Sequence, residues 1–104
     1  MTRADAVGEA LRILAPRLPA FETDSVLARA LASPGLRNAS PQNAAWLALV
    51  AFTRHVFTEY DAYLDEGYDR DSARHFTLDE LNETLRGWGV RRTVSEDVDQ
   101  PDDE

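Results

Sequence analysis

The sequence predicts an all-α protein: a small bundle of about four helices, with a helical hairpin at Gly67 and a disordered acidic C-terminal tail. Three observations carry that expectation. Apolar residues recur at helical spacing almost throughout, with no strand-like alternation of useful length. Good helix starts at Thr2, Ser40 and Asp69 or Asp71 alternate with stops at Pro16, Ser33-Pro34-Gly35, Gly67 and Gly87. The end of the chain, RRTVSEDVDQPDDE over residues 91–104, lacks a hydrophobic pattern and is rich in acids.

In chain order, Thr2 caps a first helix, and Asp5 stands at the capping-box spacing. Val7, Leu11, Leu14 and Leu18 form one apolar stripe, and Pro16 stops the helix near Ala15. A short second helix is expected from about Thr23, with Val26, Leu27, Ala30 and Leu31 facing inward. Ser40 followed by Pro41 is a strong N-cap for a third helix. Nothing in the sequence breaks that helix before Glu66, where Gly67 offers a left-handed stop. Some 26 residues of helix would run about 39 Å, so it must cross the whole molecule, kink or project. The fourth helix starts near Asp69 or Asp71 and runs to Trp88, with a possible restart at the Thr77–Glu80 capping box. The division expected is therefore a single helical domain over residues 1–90 and a tail over 91–104.

The chain has 104 residues, no cysteine and a formal net charge of −8. That length supports a buried core without disulfide staples, and the absence of cysteine excludes thiolate chemistry. The tail holds six acids and two arginines, a net of −4; the other 90 residues, with 13 acids and nine arginines, also net −4. A mildly acidic body argues against non-specific nucleic-acid binding, which needs concentrated cationic surface. No run approaches the length of a membrane span. The N-terminus, MTRADAVGEALRIL, places Asp5 and Glu9 among its apolar residues, unlike a signal peptide, so a cytoplasmic location is expected.

Projected as a helix, the third segment has a broad apolar stripe running from Trp46 to Leu64. Its opposite side is small: Ala44, Ala48, Ala51, His55 and Ala62. Such a row allows close approach of another helix, so a homodimer or protein partner on the Ala44/Ala48/Ala51/His55 face is one expectation. A flank between these faces aligns Arg54, Thr58 and Asp61 at i, i+4 and i+7, and the hairpin brings Arg74 alongside. An arginine on an apolar face must be paired if buried. An Arg54–Asp61–Arg74 clamp is expected, with Tyr60 or Thr58 adding hydrogen bonds.

The spaced residues Arg54, His55, Thr58, Tyr60 and Asp61, then Leu64, Gly67, Arg70, Ala73-Arg74 and Trp88, resemble a known but uncharacterised family. It is the domain of unknown function numbered 2293, of bacteria and fungi. The likeness continues upstream through AAWLALVAFTRH and covers roughly residues 17–89, with Glu59 a mild departure from an expected Asp. The resemblance implies a single helical domain and no particular activity. It marks Arg54, His55, Thr58, Tyr60, Asp61, Arg70 and Arg74 as the candidate functional or signature residues.

Chemical readings of that stretch are weak against structural ones. In an EF-hand frame Gly67 would place Ala62 and Ala73 at ligand positions, so the calcium spacing fails. His55 and Glu59 could ligate a metal at i, i+4, but no HExxH accompanies them and His75 has no fixed register. His55 beside Thr58 or Glu59 permits acid–base or hydrolase-like chemistry, yet no glycine-rich turn offers an oxyanion hole. Arg54, Arg70 and Arg74 are the candidates for weak nucleic-acid binding. A small non-enzymatic structural or protein-interaction module without a cofactor is the preferred expectation, and His55 is the residue left without a structural role.

Overall fold

A computed structural model describes residues 1–95. Among these, the architecture is all-helical, with five α-helices and one 3-10 turn. The first helix, α1 (Arg3–Leu14), starts as the sequence implies. Thr2 Oγ1 accepts from the Asp5 amide at 3.1 Å while Asp5 Oδ2 accepts from the Thr2 amide at 3.2 Å. Those two bonds satisfy donors that a helix N-terminus leaves open. Val7 and Leu11 are wholly buried, each contributing about 1.5–3 kcal/mol by leaving water.

Helix α2 spans Ala20–Ala32, three residues earlier than Thr23 suggests, with Pro19 at the cap. Proline has no amide hydrogen, so it suits a helix entrance. The Thr23 hydroxyl looks back instead, donating to the Pro19 carbonyl at 2.9 Å. Val26 and Ala30 face the core, but Leu31 turns outward at 45% exposure, contrary to its expected inward place. A 3-10 turn, Pro34–Leu36, then drops Leu36 into the core.

The principal departure lies in the third helix. Helix α3 covers Pro41–Phe57, and a separate α4 covers Tyr60–Asp65. Thr58 is extended (φ −131°, ψ 172°), which breaks the single long helix the sequence suggests. Local groups stabilise the break. The Thr58 hydroxyl donates to the Arg54 carbonyl at 2.5 Å and accepts from the Tyr60 amide at 3.2 Å. Glu80 reaches across from α5 to accept from the Glu59 amide at 3.3 Å. Helix-end groups on both sides of the gap are thereby satisfied, and the molecule kinks.

Gly67 ends α4 in the left-handed region, at φ 102°. Its amide bonds the Leu64 carbonyl at 3.0 Å, and the Tyr68 amide bonds the Tyr63 carbonyl at 3.1 Å. This is the Schellman pattern, with Tyr63 and Tyr68 supplying the accompanying apolar contact. Helix α5 runs unbroken over Arg70–Gly87, capped by Asp69, whose Oδ1 accepts from the Ser72 amide at 2.8 Å. There is no restart at Thr77. That residue is buried mid-helix, its hydroxyl donating to the Ala73 carbonyl at 2.8 Å.

Helices α1, α2 and α3 pack together, and α5 covers another side of α3 with α4 against it. Packing also continues past residue 90, where the sequence suggests a tail. Val90 and Val94 are each 5% exposed. Asn82 holds Val94 by both backbone groups, at 2.9 Å to its carbonyl and 2.8 Å from its amide. Arg92 lies over the Trp46 ring at 4.1 Å. Hence residues 90–94 form a strap on the core, and the rest of the acidic segment, 96–104, lies outside the described residues.

Candidate functional site

The break at Thr58 brings together residues that a straight helix would separate. In a continuous helix, positions six apart sit about 120° apart in projection and about 9 Å apart along the axis. Here His55 Nδ1 and Asp61 Oδ1 are 2.6 Å apart, because α4 sets off in a new direction. The His55 ring also stands edge-on to Tyr60, with centroids 5.3 Å apart. Tyr60 is fully buried, and the Arg54 guanidinium carbon lies 5.6 Å from its ring centroid. Arg54, His55, Thr58, Tyr60 and Asp61 thus meet at one joint between α3 and α4.

The expected Arg54–Asp61–Arg74 clamp relied on an uninterrupted helix aligning Arg54 with Asp61, and the kink changes that alignment. Asp61 instead turns to His55, with its side chain 57% exposed. Arg54 is buried at 5% exposure and Arg74 is half-buried, so neither stands in open solvent. Arg70 is exposed on the first turn of α5. His55, which the sequence left without a structural role, gains one as the partner of Asp61 and the neighbour of Tyr60.

An ionised carboxylate on Nδ1 requires the proton there, which leaves Nε2 of a neutral imidazole as the acceptor. Such a pair is half of an acid–base arrangement. Thr58 does not supply the other half, since its hydroxyl is committed to the Arg54 carbonyl. The helical His55–Glu59 ligand pair also loses its register, because α3 ends at Phe57. His75 lies on α5 against Phe76, on a different element from His55. Among the described residues no group of three or more His, Asp or Glu side chains is arranged to hold a metal ion. Of the small-residue face, Ala44 and Ala48 are buried within the chain, while Ala51 and His55 are half-buried.

Two features lie outside the residues singled out from sequence. On the hairpin, the Tyr63, Tyr68 and Phe76 rings form a mutual cluster with centroids 5.1–5.7 Å apart. Helical spacing placed Tyr63 on a core-facing stripe, but the kink carries it to this outer cluster. Near the end of α5, a cleft of about 680 Å³ is lined by Arg17, Arg86, Arg91 and Arg92 among others. Arg17 and the other three are separated by about 70 residues, so no local motif reveals their convergence. Gly89 was the one available hint. Its positive φ of 88° permits the close turn that brings the segments together.

No curated protein and no solved structure matches the chain. One family model does, and it runs from the last turn of α1 to the end of α5, including the whole α3–α4 joint. The match covers residues 10–89, and the chain belongs to the family described as "Uncharacterized conserved protein (DUF2293)".

Proposed function

We propose that the domain is a non-enzymatic protein-interaction module whose α4–α5 hairpin docks a basic partner segment with an apolar anchor. The observation that carries this reading is an exposed aromatic cluster inside a field of acids. Tyr68 is 46% exposed and Phe76 49%, although both rings already contact Tyr63. Residues 59–83 contain nine acids against two arginines, and all nine acidic side chains are exposed. Along α5, Asp79, Glu80 and Glu83 follow Phe76 at i+3, i+4 and i+7, so acids and ring share one strip. Aromatic anchors rimmed by charge supply affinity through the rings, and orientation and on-rate through the field.

The signature residues support the same reading from the structural side. Thr58, Tyr60, His55 and Asp61 set the angle at which α4 leaves α3, and that angle positions the hairpin. Fluorescence anisotropy with a labelled amphipathic peptide of arginine and leucine tests the proposal. We expect binding that weakens as salt rises, and a loss of roughly tenfold on Tyr68→Ala or Phe76→Ala. Equal affinity for a glutamate–leucine peptide would refute it, as would indifference to both substitutions.

A further inference from the structure

We propose that the cleft between the α1–α2 link and the end of α5 is a binding site for a phosphate-bearing anion. Four arginines line it, Arg17, Arg86, Arg91 and Arg92, and among the described residues no acidic side chain does. This stands out in a chain whose net charge is −8. Among the described residues, no carboxylate lies within ion-pair distance of Arg86, Arg91 or Arg92. Arg12, by contrast, is paired with Glu9 at 2.5 Å.

The cleft is also pre-arranged. Arg17 is fixed at one wall by the α5 end, donating to the Arg86 and Gly87 carbonyls at 3.3 Å each. Its backbone amide bonds the Trp88 carbonyl at 2.9 Å. Arg92 is held against the Trp46 ring, while the Asn82–Val94 bonds anchor the strap that carries Arg91 and Arg92. Guanidinium groups positioned in advance lose little freedom on binding and present fork-shaped donors that match phosphate oxygens. A carboxylate ligand would also satisfy the charge. The cleft's size and its four cations fit a multiply charged diphosphate or phosphodiester better than a single carboxylate.

The test uses the full chain, with calorimetric titration and the emission of Trp46 and Trp88 as readouts, the latter half-buried next to the cleft. Pyrophosphate and a single-stranded oligonucleotide of mixed sequence are the two probes, with citrate as a carboxylate comparison. Arg86→Glu and Arg91→Glu alter exposed side chains that make no contact needed by the fold. Each is expected to weaken phosphate binding roughly tenfold or more, whereas Arg37→Glu, exposed and away from the cleft, leaves it unchanged. Binding of pyrophosphate assigns a small phosphorylated ligand. Binding of the oligonucleotide alone, with affinity falling steeply with salt, assigns a nucleic-acid backbone. Failure of both phosphate probes overturns the proposal. So does citrate binding as tightly as pyrophosphate, or an equal loss in Arg37→Glu. None of these outcomes bears on the aromatic hairpin, so the two readings stand or fall separately.

Discussion

Single residues in this domain act mainly by satisfying the ends of helices. Asp69 is the plainest case. Its carboxylate accepts from the Ser72 amide and hydroxyl, and that bonding, the backbone bond first, lowers its pKa below the ordinary value of 3.8. A carboxylate depressed in the folded state stabilises above its unfolded pKa and loses that contribution as pH falls through the lower folded value. The cap at the start of α5 should therefore weaken progressively as pH falls from about 3.8 through the lower folded value. An NMR titration would show the Ser72 amide shifting with a midpoint under 3.8, and the Asp69→Asn variant would show no such step. This cap was legible in the sequence, because an acid three residues ahead of a serine amide is a local pattern. The His55–Asp61 pair was not. Both residues were singled out, but their partnership depends on a change of chain direction that no single-residue preference announces.

That change of direction belongs to the scale of elements, and Thr58 is responsible for much of it. Threonine is a modest helix former, yet its neighbours give no proline or glycine to mark a stop. What ends α3 is a pair of hydrogen bonds from one hydroxyl, to the Arg54 carbonyl and from the Tyr60 amide, assisted by Glu80 from the neighbouring helix. The long-range member of that set explains why periodicity alone suggested a helix to Glu66. Helix boundaries set by local chemistry are legible in the sequence, as at Thr2, Ser40 and Gly67. The end of α3, which also draws on a tertiary contact, is not. Removing the hydroxyl with Thr58→Ala should cost about 1 kcal/mol, while Thr58→Ser keeps most of the stability. Chemical denaturation of the two variants checks this. Thr58→Ala should also weaken the His55–Asp61 contact, visible as altered His55 ring shifts, since the joint that aligns them loosens.

At the scale of the whole molecule, charge and closure are coupled. The hairpin over residues 59–83 carries nine acids and two arginines, whereas the other described residues carry nine arginines and four acids. Opposite potentials on separate elements let one small fold offer two unlike surfaces. The basic surface exists only because the end of α5 is clasped to the α1–α2 link, and Gly89 makes that clasp. Its φ of 88° already disfavours any side chain, and a Cβ there would lie 2.9 Å from Pro16 Cγ and 3.1 Å from Cδ. Gly67 provides the control. Its φ of 102° carries the same conformational preference, but an added Cβ would meet nothing within 4 Å. Gly67→Ala should thus cost only the left-handed backbone term, about 1–2 kcal/mol. Gly89→Ala adds a collision with a stiff proline ring, which brings the expected loss to roughly 2–4 kcal/mol unless the clasp opens. Opening is the informative outcome. It would relieve the clash, break the Arg17 bonds to the Arg86 and Gly87 carbonyls, and disperse the arginines. Urea midpoints rank the two variants, and the ratio of pyrophosphate affinity to stability separates them further. Gly67→Ala should bind as the native chain does at any concentration of urea that leaves it folded. Gly89→Ala should bind weakly even in water, because the cleft depends on the backbone approach that this glycine permits.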